Sequence, residues 1–354
     1  MTASEICQRP SKRLKKDISP NDEVISIRPS LGMKKRISSE LLSTERVANE
    51  FKSIFFFERF NKMQSECFSL VYGSNENAVI SAPTGSGKTV LFELAICRLH
   101  KGIDSLHYIP KCIYIAPLKA LCQERSKDWK SKFSGIKLKV IELTGDTGEL
   151  ALKEVESSHI ILTTPEKWDA FTRKLNKYKA TIKNIRLLLI DEVHLLNTTR
   201  GSTLEALVSR MQNISDAEGK AIRMIAQSAT IPNIEDLCEW LKVDKDIGLR
   251  KFGEEFRPIK LQKHVIGFPE TKNEFTFERA LNFKLAGVIR QYSDNRPTLV
   301  FCQTQKGTLA AAAKLKEDLP PSYLIESIQQ DIVLKQAANT IKDKGLQGNF
   351  INQQ

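Results

Sequence analysis

The segment APTGSGKT at 82–89 has the residue types that hold a polyphosphate. Gly85 and Gly87 let the backbone curl around phosphate oxygens with no Cβ in the way, and Pro83, Thr84 and Ser86 complete the loop. Amides at the start of the helical run that follows, VLFELAICRL, would cradle those oxygens while the helix dipole favours their charge. Lys88 reaches the β- and γ-phosphates, and the Thr89 hydroxyl joins the shell of a Mg2+ ion. Ala82 stands where the strict pattern has its first glycine. A second signal, DEVH at 191–194, follows the apolar run RLLLI. Asp191 can hold the metal directly or through water, and Glu192 can orient or deprotonate an attacking water. Alone, two such acids read as solvated strand-end residues; beside the loop they predict nucleotide hydrolysis. SAT at 228–230 ends another apolar run. Ser228 and Thr230 either bond to the DEVH loop and transmit its state, or simply cap a helix.

Short apolar runs must position these residues. AVISA (78–82), CIYIA (112–116), KVIEL (139–143), HIILT (159–163), RLLLI (186–190) and RMIAQ (223–227) read as strands of a parallel sheet covered on both faces. Between them, Leu204, Leu207, Val208 and Met211 mark the buried stripe of one helix, and Ile234, Leu237, Cys238 and Leu241 that of another. The alternation predicts an α/β domain of about 200 residues, here 44–250. A connector and the beginning of a second α/β unit, 251–345, would follow. In it Phe277, Leu281, Leu285, Val288, Ile289 and Tyr292 mark a helix, TLVFC (298–302) a strand, and Lys306 the start of another helix. A further helix is expected over 323–342, and 346–354 as loose tail. Residues 1–43 read as a disordered basic arm, since half of the first twenty are Ser, Pro, Lys or Arg. Its clusters PSKRLKK (10–16) and MKKR (33–36) serve either nuclear import or solubility and loose nucleic-acid binding.

Composition narrows the classes. With 354 residues, 41% hydrophobic and 27% charged, a real core is available, and fibrous or wholly disordered readings fail. No apolar run reaches the roughly 18 to 20 residues of a membrane-spanning helix, and no secretory signal pattern opens the chain, so a soluble intracellular protein without a membrane partner is expected. The net charge of +12 suits a polyanionic partner; the first forty residues hold nine basic and five acidic groups, so most of the excess lies elsewhere. Seven dispersed cysteines with no CxxC pair predict reduced, buried thiols rather than a metal site.

Taken in order, the motifs resemble the superfamily 2 helicases, specifically the Ski2-like group, and within it the meiotic DNA helicases of the Mer3/HFM1 type. FNKMQ (60–64) resembles the Q motif, APTGSGKT motif I, APLKAL (116–121) motif Ia, and DEVH motif II. SATIPN (228–233) resembles motif III and PTLVFCQTQKG (297–307) motif IV, while ELTGD (142–146), TTPEKWD (163–169) and RGSTLEALVSRM (200–211) match further family stretches. Ala82 is expected in this group. The resemblance implies a RecA-like P-loop domain and a second, incomplete RecA-like domain. It also implies ATP with Mg2+, Gln64 bonded to adenine, and His194 linking the ATP site to the second domain. Loops carrying Pro117, Lys119, Thr144, Gly145, Thr164 and Pro165 would track a sugar–phosphate backbone without reading bases. Trp168 either stacks on a base or braces its loop. Further implications are 3′-to-5′ translocation on single-stranded or branched DNA, meiotic crossover formation with recombination proteins, and a nuclear location.

No QxxGRxGR-like motif VI follows motif IV in this sequence. Arginines of that motif can contribute roughly 10³ to 10⁵ to phosphoryl-transfer rates. The chain therefore reads as a truncated helicase, weak or inactive as a motor. A non-catalytic ATP- or DNA-binding adaptor and a P-loop ATPase completed by a partner are the alternatives.

Overall fold

The computed structural model describes residues 23–27, 41–103, 109–144, 151–197, 201–269, 273–294 and 296–320. They fall into two units: a larger one reaching Lys260, and a smaller one that joins residues from Leu261 onward to an early strand, β1 (Glu23–Ile27).

The larger unit is built on one sheet. Strands β2 (Ala78–Ser81), β3 (Lys111–Ile115), β4 (Val140–Leu143), β5 (Ile160–Thr163), β6 (Ile185–Ile190), β7 (Arg223–Ser228) and β8 (Leu249–Lys251) lie in the order β4-β5-β3-β6-β7-β2-β8, every pair parallel. Continuous apolar runs suit strands covered on both sides, and β2, β3 and β5 are buried throughout. Successive side chains point to opposite faces. Ile80, Tyr114, Leu187 and Leu189 join one core, whereas Val79, Ile113, Ile115, Leu188 and Ile190 join the other.

Helices α1 (Lys62–Val71), α2 (Thr89–His100) and α3 (Lys119–Ser134) close the first core with Phe68, Phe92, Trp129 and Phe133. The second is closed by α4 (Ala151–Ser157), α5 (Pro165–Thr172), α6 (Leu175–Lys183), α7 (Gly201–Glu218) and α8 (Ile234–Trp240), through Val155, Trp168, Ile182, Leu207 and Ile234. Both expected stripes, on α7 and α8, are buried. A short α9 (Lys245–Gly248) leads into β8. Cys67, Cys97, Cys112, Cys122 and Cys238 are buried free thiols, and burial pushes Cys67 and Cys122 up to about 12.

In the smaller unit β1 pairs antiparallel with β9 (Lys263–Gly267), Glu23 opposite Gly267. Helices α10 (Glu274–Tyr292) and α11 (Gln305–Asp318) start from side-chain caps, Asn273 on the Thr276 amide and Thr304 on the Gly307 amide.

Three expectations change. The arm 1–43 is not featureless, because EVISI at 23–27, three of its five residues β-branched, finds a strand edge to pair with. The boundary at 250 falls inside β8; LRK is too short and basic to signal a strand, yet it extends the sheet beside β2. TLVFC forms no strand: among the described residues nothing pairs with it, and Leu299 and Phe301 stand 78% and 88% exposed. An apolar run becomes a parallel strand only beside another strand, which sequence pattern does not report. The basic clusters, the helix at 323–342 and the tail 346–354 lie outside the described residues. No described helix is long and apolar enough to cross a membrane.

Candidate active site

The loop between β2 and α2 carries the first signal. Gly85 and Gly87 have φ of +80° and +82°, the left-handed region that favours glycine. A Cβ on Gly87 would meet the Gln64 Nε2 at 2.6 Å. The loop is braced from α1: Asn61 Nδ2 donates to the Ser86 carbonyl at 2.8 Å, and Gln64 Nε2 donates to the Gly87 carbonyl at 3.0 Å. The Gln64 Oε1 accepts from the Asn61 amide at 2.9 Å, completing a capping box. Gln64 is buried, and its side-chain amide bonds to Asn61 and the Gly87 carbonyl hold it against the loop.

Lys88 Nζ donates to the carbonyls of Ala82 and Pro83 at 2.8 and 3.2 Å, and its own carbonyl accepts from Gln227 Nε2 at 2.8 Å. Burial lowers the Lys88 pKa, while the charges of Glu192 and Asp191 pull it back up. Arg257, beyond the sheet, donates to the Thr84 carbonyl at 2.9 Å.

At the end of β6, Asp191 Oδ2 accepts from the Tyr114 hydroxyl at 2.7 Å and Oδ1 from the Glu192 amide at 3.0 Å. Burial first, then the Asp191 charge, drives the Tyr114 pKa far above its usual value, so the hydroxyl stays a donor. Glu192 has φ of +50°, strained for a residue with a side chain. His194 Nδ1 lies 3.3 Å from Glu192 Oε2 and accepts from the Ala229 amide at 3.4 Å. That contact corrects the reading of SAT. Ser228 Oγ is buried without a partner and Thr230 is exposed; a backbone amide, not a hydroxyl, joins this strand end to DEVH.

The sheet order explains the layout. β6, β7 and β2 are adjacent, so DEVH, SAT and the phosphate loop emerge side by side at the carboxyl edge. Strands β3, β5 and β4 send out the remaining loops at the same edge. Pro117 and exposed Lys119 follow β3. Thr144 follows β4 and donates to Glu142 at 2.9 Å; Thr164 and Pro165, both buried, follow β5 at the start of α5. Pro117 and Pro165 line a small hollow with Asp191 and Glu192, so the two halves of the edge meet there. Gly145 lies outside the described residues. Trp168 is buried and stacks on Phe171 at 4.8 Å, which makes it a brace. Tyr114, Gln227 and Arg257 escaped the sequence reading because their partners lie 77, 139 and 173 positions away. Asn61 could have been found, since Asn-x-x-Gln is a capping-box signature.

A model of the DEAD/DEAH box helicase family matches residues 61–237, half of the chain. The chain belongs to the DEAD/DEAH box helicase family. The chain is closely related to the MER3/HFM1-type meiotic DNA helicases. It is 46% identical over 313 residues to the probable ATP-dependent DNA helicase HFM1 of Xenopus tropicalis, a match covering 85% of this chain and 23% of that protein. It is 39% identical over 350 residues to the ATP-dependent DNA helicase MER3 of Saccharomyces cerevisiae, covering 94% of this chain and 29% of that one. The chain thus spans less than a third of the length of either relative. A crystal structure of the DUF1998 helicase MrfA bound to DNA aligns with 92% of this chain and 44% of its own, with a TM-score of 0.67 and 18% identity. The fold is the RecA-like α/β P-loop fold.

Family membership implies an ATP- and Mg2+-dependent mechanism. The helicase's own residues fit both groups. Ser86 Oγ is buried in the loop with no partner, the two glycines hold the loop open with positive φ, and an oxygen donor set of Thr89 and Asp191 suits a hard cation. Among the described residues no three His, Cys, Asp or Glu side chains gather in one place that could hold a metal ion.

Proposed function

We propose that this chain carries the ATP-binding portion of an ATP-dependent DNA helicase motor acting in meiotic recombination. The observation that carries the reading is the adjacency of β6, β7 and β2, which gathers Lys88, Asp191 and Glu192 at one sheet edge. Their charges act on one another there.

In this reading Gly85, Ser86 and Gly87 offer amides to the β-phosphate, and Lys88 leaves the Ala82 and Pro83 carbonyls for phosphate oxygens. Thr89 and Asp191 would hold Mg2+, which neutralises charge on the transferred phosphate. Glu192 takes a proton from the attacking water, held in place by its strained backbone and by His194. Tyr114 fixes the Asp191 carboxylate by donating to Oδ2. His194 carries the state of that site to the end of β7 through the Ala229 amide.

The loops after β3, β4 and β5, with Pro117, Lys119, Thr144, Gly145, Thr164 and Pro165, follow a single strand by its phosphates. Single-stranded or branched recombination intermediates, 3′-to-5′ movement, recombination-protein partners and a nuclear location belong to the same proposal. The MER3 and HFM1 names of the relatives support it, as does the net charge of +12.

Steady-state ATP hydrolysis and equilibrium ATP binding, with and without single-stranded DNA, test the reading against Glu192→Gln and Lys88→Ala. DNA-stimulated turnover removed by Glu192→Gln supports the motor in this chain. Binding that needs Lys88, without turnover, reduces it to a binding module. A folded chain that binds neither ATP nor DNA sinks the proposal.

A further inference from the structure

A cavity of about 570 Å³ in the larger unit lies away from the motif loops, where β6 and β7 begin. Strands in this sheet all run one way, so this is the amino edge, opposite the phosphate loop. Helix α2 starts at that loop and ends here, about 18 Å on at 1.5 Å per residue. The volume falls in the range of sites for small organic ligands.

Charge sets the cavity apart. Its walls carry Arg98, Lys101, Arg186, Arg223 and Lys242 against one carboxylate, Asp216. Most of these cations are held by groups that do not neutralise them. Arg223 donates to the carbonyls of Glu76, Val71 and Leu70 at 2.8, 2.9 and 2.9 Å. Arg98 Nε donates to the Asn75 side-chain oxygen at 3.3 Å, and Lys101 lies over the Tyr72 ring. Lys242 faces Asp216 at 3.4 Å.

Arg223 is just 8% exposed, and burial, with the nearby charge of Arg98, brings its pKa down to about 10 against a smaller upward pull from the Glu76 carboxylate. A buried guanidinium beside a second one is costly without an anion. Capping the end of α1 explains Arg223 in part, as the C-terminal end of the α2 dipole does Arg98 and Lys101, yet neither role places an anion between the two walls. The floor between them is apolar, with Leu99, Leu187 and Met224.

We propose that this cavity binds a compact organic phosphomonoester of mononucleotide size, its phosphate neutralising Arg98 and Arg223 and its body resting on the apolar floor. A continuous nucleic-acid strand fits less well, because a strand needs a row of exposed cations and Arg223 is reached only inside the concavity. The inference does not depend on the ATP site.

The test is equilibrium binding of cytidine 5′-monophosphate to the whole chain, with cytidine as the phosphate-free control. Saturable binding of the phosphate ester alone is expected. It should weaken at least tenfold in the double variant Arg98→Gln, Lys101→Gln and persist in Lys88→Ala. Both substituted side chains are solvent-reaching, and an unchanged circular dichroism spectrum and melting temperature keep a folding defect apart. Arg98→Lys, which keeps the charge, should recover part of the affinity.

Absence of saturable binding up to millimolar ligand overturns the proposal. So does binding lost in Lys88→Ala but kept in the double variant. Single-stranded DNA affinity lowered by the double variant, with no cytidine monophosphate binding, also overturns it and assigns the charge to a nucleic-acid backbone.

Discussion

Tyr114 sits one residue before the end of β3, and its hydroxyl reaches the carboxylate that follows β6. Removing that donor leaves Asp191 freer to turn, and partners behind a metal ligand commonly govern 10- to 100-fold in metal affinity. Tyr114→Phe is therefore expected to raise the Mg2+ concentration for half-maximal ATP binding about 10-fold. An unchanged Mg2+ titration would remove Tyr114 from the site. His100 makes a second case at this scale. Burial, then the charge of His159, brings its pKa from 6.5 to about 3. The unfolded chain gains a proton near pH 6.5 that the folded chain refuses until about pH 3. Between those values stability falls as pH falls, by about 1.4 kcal/mol per pH unit from this group. Melting temperatures from pH 7 to pH 4.5 should drop less steeply in His100→Gln than in the parent chain; parallel curves would refute the assignment.

At the scale of elements, packing between the DEVH loop and α7 explains a glycine. A Cβ on Gly201 would lie 1.7 Å from the Leu196 carbonyl oxygen, a backbone atom that cannot swing aside. Gly201→Ala should cost about 1–3 kcal/mol, read as a lower denaturant midpoint. An unaltered midpoint would mean that the backbone at Leu196 yields freely. Such contacts mark the limit of sequence reading. The six core strands were legible because β2, β3, β5 and their neighbours are short, apolar and bounded by turns. The loop at 82–89 was legible because phosphate chemistry constrains neighbouring residues. β8 and β1 were not, since pairing rather than composition makes LRK and EVISI into strands. TLVFC misled for the converse reason. The hydroxyls of SAT invited a role that the Ala229 amide performs, because a backbone group leaves no trace in residue type.

For the whole molecule, the sheet order sets two functions side by side without mixing them. The candidate nucleotide loops leave β6, β7 and β2, and the candidate strand-tracking loops leave β3, β5 and β4, with the β3–β6 pair as the seam. Tyr114 crosses that seam. The order also has a temporal side. Strand β2 is the first of the sheet to be synthesised, but its neighbours are β7 and β8, so Val79 waits for Ala226 and Leu249. At roughly 5 to 20 residues per second, its apolar edge stays unpaired for about 10 to 30 seconds on the ribosome. Chains stalled with residue 215 just outside the exit tunnel should be cut by protease within the 78–100 region, and chains stalled beyond residue 260 should resist. Equal resistance in both would show that α1 and α2 shield the strand by themselves. The segment that carries the candidate phosphate loop is thus made early and sheltered late, so its apolar edge stays open to neighbouring chains for most of the domain's synthesis.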